Sequence, residues 1–180
     1  MEKKTIFITG AGSGIGRAPA LLFHAHGWCI GACDTSQDAL DSLSSELKER
    51  CSTYCTDVRD KHELESALRT FCEEVGGRLD IMFNNAGIAV LGEFRYHSTA
   101  DWKRVLDVNV NGVFAGSAAA YAVMIGQGHG HIVNMASVSG LVPALGIVAY
   151  CASKHAVVGL STSLRAEAVA HGVKVSVVCP

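Results

Sequence analysis

Six short apolar runs alternate along the chain with stretches whose apolar residues recur at helical spacing, and few folds accommodate that order. The runs are 5–9, 29–33, 52–55, 79–83, 131–135 and 174–178. Each is too short to be a helix and is bounded by turn residues, as strands are. Between them the periodicity predicts helices over 15–26, 37–50, 61–75, 99–126 and 150–171. Gly27, the pair Gly76 and Gly77, and Gly172 stand where three of these helices stop, because glycine accepts the left-handed conformation that ends a helix. Ser36, Asp60 and either Thr99 or Asp101 stand where others begin and can accept from the free N–H groups there. Strands separated by helices are joined by crossovers, so the chain is expected to form an α/β domain with a parallel sheet covered on both faces. Right-handed crossovers then select the doubly wound strand order 3-2-1-4-5-6. In such a sheet ligands bind beyond the carboxyl ends of the strands, which singles out the loops opening at Gly10, Asp34, Asp57, Asn84, Met135 and Cys179.

Composition narrows the class of partner. The 180 residues suit one domain, 1–180, and 49% apolar against 18% charged residues excludes a disordered chain. Fifteen Lys and Arg face 17 Asp and Glu with no run of either sign, which argues against nucleic acid or a membrane surface as partner. The least polar segment, 112–126, falls short of the roughly 18 residues of a membrane span and reads as a buried helix. The run 5–9 is too short for the apolar part of a signal peptide. With seven cysteines, an odd number, this points to reduced thiols and a cytoplasmic location. Cys29 and Cys33, and Cys51 and Cys55, fall in strand-like runs and read as small buried thiols, and no His or Cys cluster has the spacing of a metal site.

The chemistry concentrates in two places. After the first strand, 9–16 reads Thr-Gly-Ala-Gly-Ser-Gly-Ile-Gly. A glycine-rich turn opening a helix brings backbone N–H groups and the positive end of the helix dipole to a pyrophosphate. Gly10, Gly12, Ser13, Gly14, Ile15 and Gly16 are therefore the expected phosphate cradle. Asp34 ends the second strand, 18 residues after Gly16, where a carboxylate accepts from the ribose hydroxyls of a dinucleotide. It would repel a 2′-phosphate, and neither Ser13 nor Thr35 is basic, so NAD is expected in preference to NADP. Further on, Tyr150 and Lys154 stand four apart on one face of a predicted helix. An ammonium beside a phenol favours its ionised form and makes the tyrosine an acid or base for an alcohol and ketone pair. Ser137, at the end of the fifth strand, offers a hydroxyl to hold the substrate oxygen. His129 and His131 read as solvated residues of a glycine-rich turn, and His155 as a bystander next to Lys154.

These motifs, in their order and spacing, resemble the short-chain dehydrogenase/reductase family. The resemblance runs over essentially the whole chain: the turn at 9–16, Asp34, Asp57 with Val58, Asn84-Asn85-Ala86-Gly87, Asn109, Ser137, and Tyr150-Cys151-Ala152-Ser153-Lys154. It implies a Rossmann-like fold and hydride transfer between NAD and a small-molecule secondary alcohol or ketone. It implies further that Asp57 contacts the adenine amino group and that Val58 supplies backbone contacts. Asn84, Asn85, Ala86 and Gly87 would support the central sheet and line the cofactor ribose. Tyr150 would be the acid/base, Lys154 would bind the nicotinamide ribose, Ser137 would orient the carbonyl, and Asn109 would hold a water in a proton relay. Homodimers or homotetramers would form through the helices 99–126 and 150–171.

Two features depart from the family pattern. Pro19 stands in the second turn of the first helix, where it removes the N–H that would bond to Ile15 and predicts a kink with weakened packing. The chain ends at Val178-Cys179-Pro180, so the family's seventh strand and substrate lid are expected to be missing and the chain to be C-terminally truncated. A dinucleotide-binding module or fragment without turnover is the alternative reading.

Overall fold

The structure is a computed structural model that describes residues 3–180. Its six strands are β1 (Thr5–Thr9), β2 (Cys29–Asp34), β3 (Cys51–Cys55), β4 (Ile81–Asn84), β5 (Gly130–Met135) and β6 (Val173–Val178). They form one parallel sheet in the order β3-β2-β1-β4-β5-β6, the doubly wound order expected from the alternation. Thr9 pairs with both Cys33 and Asn84, so the carboxyl ends of β2, β1 and β4 lie level at the switch point.

The helices are α1 (Gly14–Ala25), α2 (Gln37–Leu47), α3 (Lys61–Glu74), α4 (Thr99–Leu106), α5 (Val113–Gln127) and α6 (Val148–Ala168). Alternation along β1 sends Ile6 and Ile8 to the face covered by α1 and α2, against Leu40 and Leu43. Phe7 goes to the other face, where it meets Phe71 of α3 with ring centroids 5.6 Å apart. Ile6, Phe7 and Ile8 are at most 1% exposed, and burying each such side chain contributes about 1.5–3 kcal/mol.

Several element ends differ from expectation, each for a local reason. The second helix stops at Leu47 rather than residue 50, because Lys48 and Arg50 adopt φ of +62° and +61°. That turn brings the Arg50 carbonyl to the Ile30 N–H at 2.8 Å and starts β3 at Cys51. Ser36 and Asp60 cap as expected, accepting from Ala39 and Glu63. The cap of α4 is Ser98, neither Thr99 nor Asp101; Asp101 instead returns its carboxylate to the Ser98 N–H in a capping box. The expected single helix 99–126 is divided by a π-helical segment, Asp107–Gly112, and continues to Gln127. The combined Thr99–Gln127 is 29 residues long and apolar enough to cross a membrane by length and composition. Its Val113, Ala115, Gly116, Ala120 and Met124 are instead buried in the protein, as in a core helix. The last long helix begins at Val148, before Tyr150, and residues 169–171 close it as a 3-10 turn.

His131 corrects the expectation of a solvated residue. It lies on β5, half-buried, with Nε2 2.8 Å from the Ser176 hydroxyl on β6, and burial, aided by Lys174 and Arg165, lowers its pKa. His155 is exposed, its Nδ1 turned back to the Cys151 carbonyl. At the opposite end of the sheet from the glycine turn, Asp80 holds β1 to β4. It accepts from the Thr5 N–H at 2.9 Å and takes a two-pronged contact from Arg78 at 2.7 and 2.6 Å. Burial pushes its carboxyl up, but the hydrogen bonds from Arg78 and Thr5 outweigh it and hold it below the usual range.

Pro19 lies within α1, which runs on through it to Ala25. The helix therefore survives the proline, at the loss of the i+4 donor to the Ile15 carbonyl. Replacing Pro19 with Ala is expected to raise the melting temperature by several degrees, from about 3 kcal/mol of relieved helix penalty at most. Thermal denaturation of the two proteins checks this; equal melting temperatures would show that the site carries no strain.

Candidate active site

The carboxyl ends of the strands enclose a cavity of about 790 Å³. Twelve of the residues singled out from the sequence line it, from Gly10, Ser13, Gly14 and Ile15 through Asp34 and the Asp57–Val58 pair to Asn85, Ala86, Gly87, Tyr150 and Lys154. Gly12, Gly16, Asn109 and Ser137 are not among its lining residues.

The glycine turn explains that division. A Cβ on Gly16 would stand 2.0 Å from the Gly10 carbonyl oxygen and 2.5 Å from the Asn85 amide, so only glycine lets α1 start directly beneath the turn. Asn85 fastens the turn from the β4 side, donating Nδ2 to the carbonyls of Thr9 and Gly10 at 3.1 and 3.2 Å. Gly14 has φ of +49° and open space where a Cβ would be. Ser13 is at the N-cap, but its side chain makes no capping bond, unlike Ser36, Asp60 and Ser98 on the next three helices. The first N–H groups of α1 are thus not spent on a side chain, and they open on the cavity that Ser13, Gly14 and Ile15 line. An open cradle with free backbone donors at a helix start fits a pyrophosphate.

Asp34 is held in place as well as available. Its Oδ2 accepts from the Gly12 N–H at 2.9 Å and its Oδ1 from the Ser36 N–H at 3.0 Å. The carboxylate therefore ties the glycine turn to the start of α2 while presenting a fixed negative charge to the cavity. Asp57 has a partner that the sequence reading did not assign: Arg59 grips it through Nε and a terminal nitrogen at 2.9 and 2.6 Å and through its own N–H at 2.9 Å. These hydrogen bonds outweigh burial and hold the Asp57 carboxyl below the usual range. The i, i+2 spacing of acid and arginine was the available signal.

Lys154 defines the other end. It is 3% exposed, donates Nζ to the Met135 carbonyl at 2.7 Å, and lies 5.5 Å from the centre of the Tyr150 ring. Burial pushes its ammonium down to about 8, partly opposed by the nearby Cys179. Tyr150 is half-buried at the cavity wall, one helical turn before Lys154. Ser137 follows Met135 by two residues, so the end of β5 carries both the lysine's acceptor and the serine. The Ser137 oxygen accepts from the Ser139 N–H at 3.2 Å, which fixes the side chain and leaves its own O–H to donate.

Asn109 is fully buried in the π-helical segment, and its side chain is committed to protein groups. Its Oδ1 accepts from the Ile88 N–H at 2.8 Å, and its Nδ2 donates to the Ile88 carbonyl at 2.9 Å and to Ser153 Oγ at 3.0 Å. Among the described residues, no group of three or more His, Cys, Asp or Glu is placed to hold a metal ion.

Comparison with known proteins agrees with this arrangement. The chain is 37% identical over 180 residues to meso-2,3-butanediol dehydrogenase of Serratia marcescens, covering 99% of this chain and 71% of that protein. Its structure is similar to that of a short chain dehydrogenase/reductase from Burkholderia phymatum in complex with NAD, with a TM-score of 0.95 and 36% identity. That match covers 99% of this chain and 66% of the other. NAD⁺-bound xylitol dehydrogenase gives a TM-score of 0.94 at 29% identity, over 98% of this chain and 69% of the other. The chain thus spans about two thirds of the length of the proteins it resembles. The profile of the short chain dehydrogenases matches residues 4–180, and with the strand order, the glycine turn and the Tyr150–Lys154 pair in place, this chain belongs to that family.

Proposed function

We propose that this chain binds NAD across the sheet's switch point and interconverts a secondary alcohol and a ketone, with Tyr150 as the acid/base. The observation that carries the reading is Lys154, a buried ammonium fixed on the Met135 carbonyl and aimed at the Tyr150 ring, at the far end of the cavity from Asp34. The NAD complexes of the two similar structures support the choice of cofactor. When bound, the nicotinamide supplies the hydride acceptor or donor.

The residues divide the remaining work. Backbone N–H groups of the glycine turn and α1 take the pyrophosphate, and Asp34 takes the adenosine ribose hydroxyls. Tyr150 removes the proton from the alcohol hydroxyl during oxidation and returns it during reduction. Lys154 holds its ammonium over that ring, 5.5 Å from its centre, and fixes it there on the Met135 carbonyl. Ser137 donates its O–H to the substrate oxygen and so sets the carbon that exchanges the hydride. The fixed Asp34 charge disfavours a 2′-phosphate, so NAD is expected to bind at least about tenfold more tightly than NADP.

The strap 141–147, between Ser137 and Tyr150, suggests the substrate's character. No charged residue occurs from 136 to 153, Leu141 and Leu145 are exposed, and Gly146 accepts from the Gly92 N–H at 2.9 Å. An uncharged apolar strap leading into the helix of the tyrosine suits an uncharged, apolar alcohol. The same reading has two copies of the chain meet through α4, α5 and α6, where Trp102 of α4, Phe114 and Ile125 of α5, and Val169 in the turn after α6 are exposed.

Titrating NADH by fluorescence, together with turnover of a panel of apolar and charged secondary alcohols, tests the proposal. Binding with turnover of the apolar members is the expected result. Binding without turnover on any alcohol would leave a dinucleotide-binding module, and no binding would overturn both.

A further inference from the structure

The bonds around Asn109 lead to a residue with no role assigned so far. Ser153 is fully buried on α6, between Tyr150 and Lys154 in the chain. Its Oγ accepts from Asn109 Nδ2 at 3.0 Å and donates to the Tyr150 carbonyl at 2.7 Å. Asn109 in turn grips both backbone groups of Ile88, which lines the cavity. An unbroken series of hydrogen bonds therefore runs from the cavity wall at Ile88, through Asn109 and Ser153, to the backbone of Tyr150. Gly87 shows how tightly the parts converge: a Cβ there would stand 3.4 Å from both Asn109 Oδ1 and Lys154 Nζ.

We propose that Ser153 is a positioning residue, which fixes the helical turn bearing Tyr150 and Lys154 relative to the loop that lines the nicotinamide side of the cavity. This rests on the reaction proposed above. A serine hydroxyl that donates to a carbonyl three residues back holds that turn of helix in one geometry. Because the same oxygen also accepts from Asn109, the turn cannot shift without breaking a buried bond to the loop. Tyr150 reaches the substrate from α6, whereas Ile88 belongs to the loop after β4, so their separation must be set by something that bridges the two. Ser153 and Asn109 are that bridge.

The same helix contains a matched control. Ser161, two turns on, is fully buried, donates to the Val157 carbonyl at 2.7 Å and accepts from Asn134 Nδ2 at 3.0 Å. Ser161→Ala and Ser153→Ala remove the same kind of bond from the same helix, and only the second touches the turn of Tyr150. Both variants are expected to lose similar thermal stability. Ser153→Ala is expected to lower kcat and kcat/KM together by about tenfold or more, since small misplacement of a reacting group is costly in rate. Its NADH affinity and KM are expected to stay within about twofold of the unmodified chain, and Ser161→Ala is expected to keep kcat within the same margin. Ser153→Cys keeps a donor at the site, weaker and on a larger atom, and is expected to fold with an intermediate kcat even if the alanine variant does not fold. Equal kcat losses in Ser153→Ala and Ser161→Ala, or an undiminished kcat in Ser153→Ala or Ser153→Cys, would overturn the positioning role alone. Absence of turnover by the unmodified chain would overturn the reaction reading and this role with it.

Discussion

Replacing Tyr150 with Phe is expected to lower kcat by roughly 10²–10⁴-fold, the usual share of a positioned acid/base, while NADH binding changes little. The substitution removes one oxygen and preserves the ring that packs at the cavity wall beside Lys154. Asp34, the glycine turn and the open cradle at Gly14 are on other elements and are unaffected. Single-turnover kinetics with an alcohol that the unmodified chain oxidises, alongside an NADH titration, separates the two effects. A Phe variant with the rate of the unmodified chain would remove Tyr150 from the chemistry and require another proton acceptor.

The second large effect is expected at a glycine far from any reacting atom. Gly116 lies in α5 against the end of β4, and a Cβ there would stand 2.1 Å from Asn84 Oδ1 and 2.7 Å from Met82 Cε. Asn84 cannot give way easily: it is 1% exposed, and its Nδ2 donates to Asn134 at 2.8 Å and to Ser117 at 3.1 Å. Among the described residues its Oδ1, buried and set against the bare Cα of Gly116, has no hydrogen-bond partner. Gly116→Ala must therefore move α5 from the sheet or break a buried amide network, at about 3 kcal/mol or more. A fall in melting temperature of roughly 6–12 °C follows for a chain of this size. Asn84 leads directly into Asn85, Ala86 and Gly87, so dinucleotide affinity is expected to fall with it. Gly126 in the same helix has nothing within 4 Å of its Cβ position, and Gly126→Ala is expected to be neutral or to stabilise by up to about 1 kcal/mol. Thermal melts of the pair decide the matter, and equal melting temperatures would show that the Asn84 contact carries no constraint.

Gly116 and Gly126 also show where reading the sequence ends. Both are glycines in an apolar helix with no local feature to distinguish them, and the neighbour that makes one indispensable comes from β4, more than thirty residues away. Glycines with a local job were legible. Those of the turn at 9–16 announce themselves by lying between a strand and a helix, and Gly27 and Gly172 by following helical periodicity. Ser98, Thr99 and Asp101 are equally suited by type to cap α4, and the extended backbone at Ser98, φ −83° with ψ 161°, decides between them. His131 follows Gly130 at the start of a strand, which reads as a solvated edge of a turn, whereas pairing with both Ile81 and Lys174 half-buries it in the sheet.

The sequence by itself determined the sheet, its strand order, and about half of the residues that line the cavity. Those follow from local hydrophobic period, turn chemistry and the chirality of crossovers, all of which act over a few residues or apply to any chain of this pattern. Only the tertiary structure decided how those residues are held. The tie of Asp34 to the glycine turn, the bonds of the buried Asn109 to Ile88, and the bond from Asn109 to Ser153 each join elements that are remote in sequence. A hydrogen bond depends on angstrom-scale separation and direction. Such distances are set by packing of the whole domain, and no spacing along the chain encodes them.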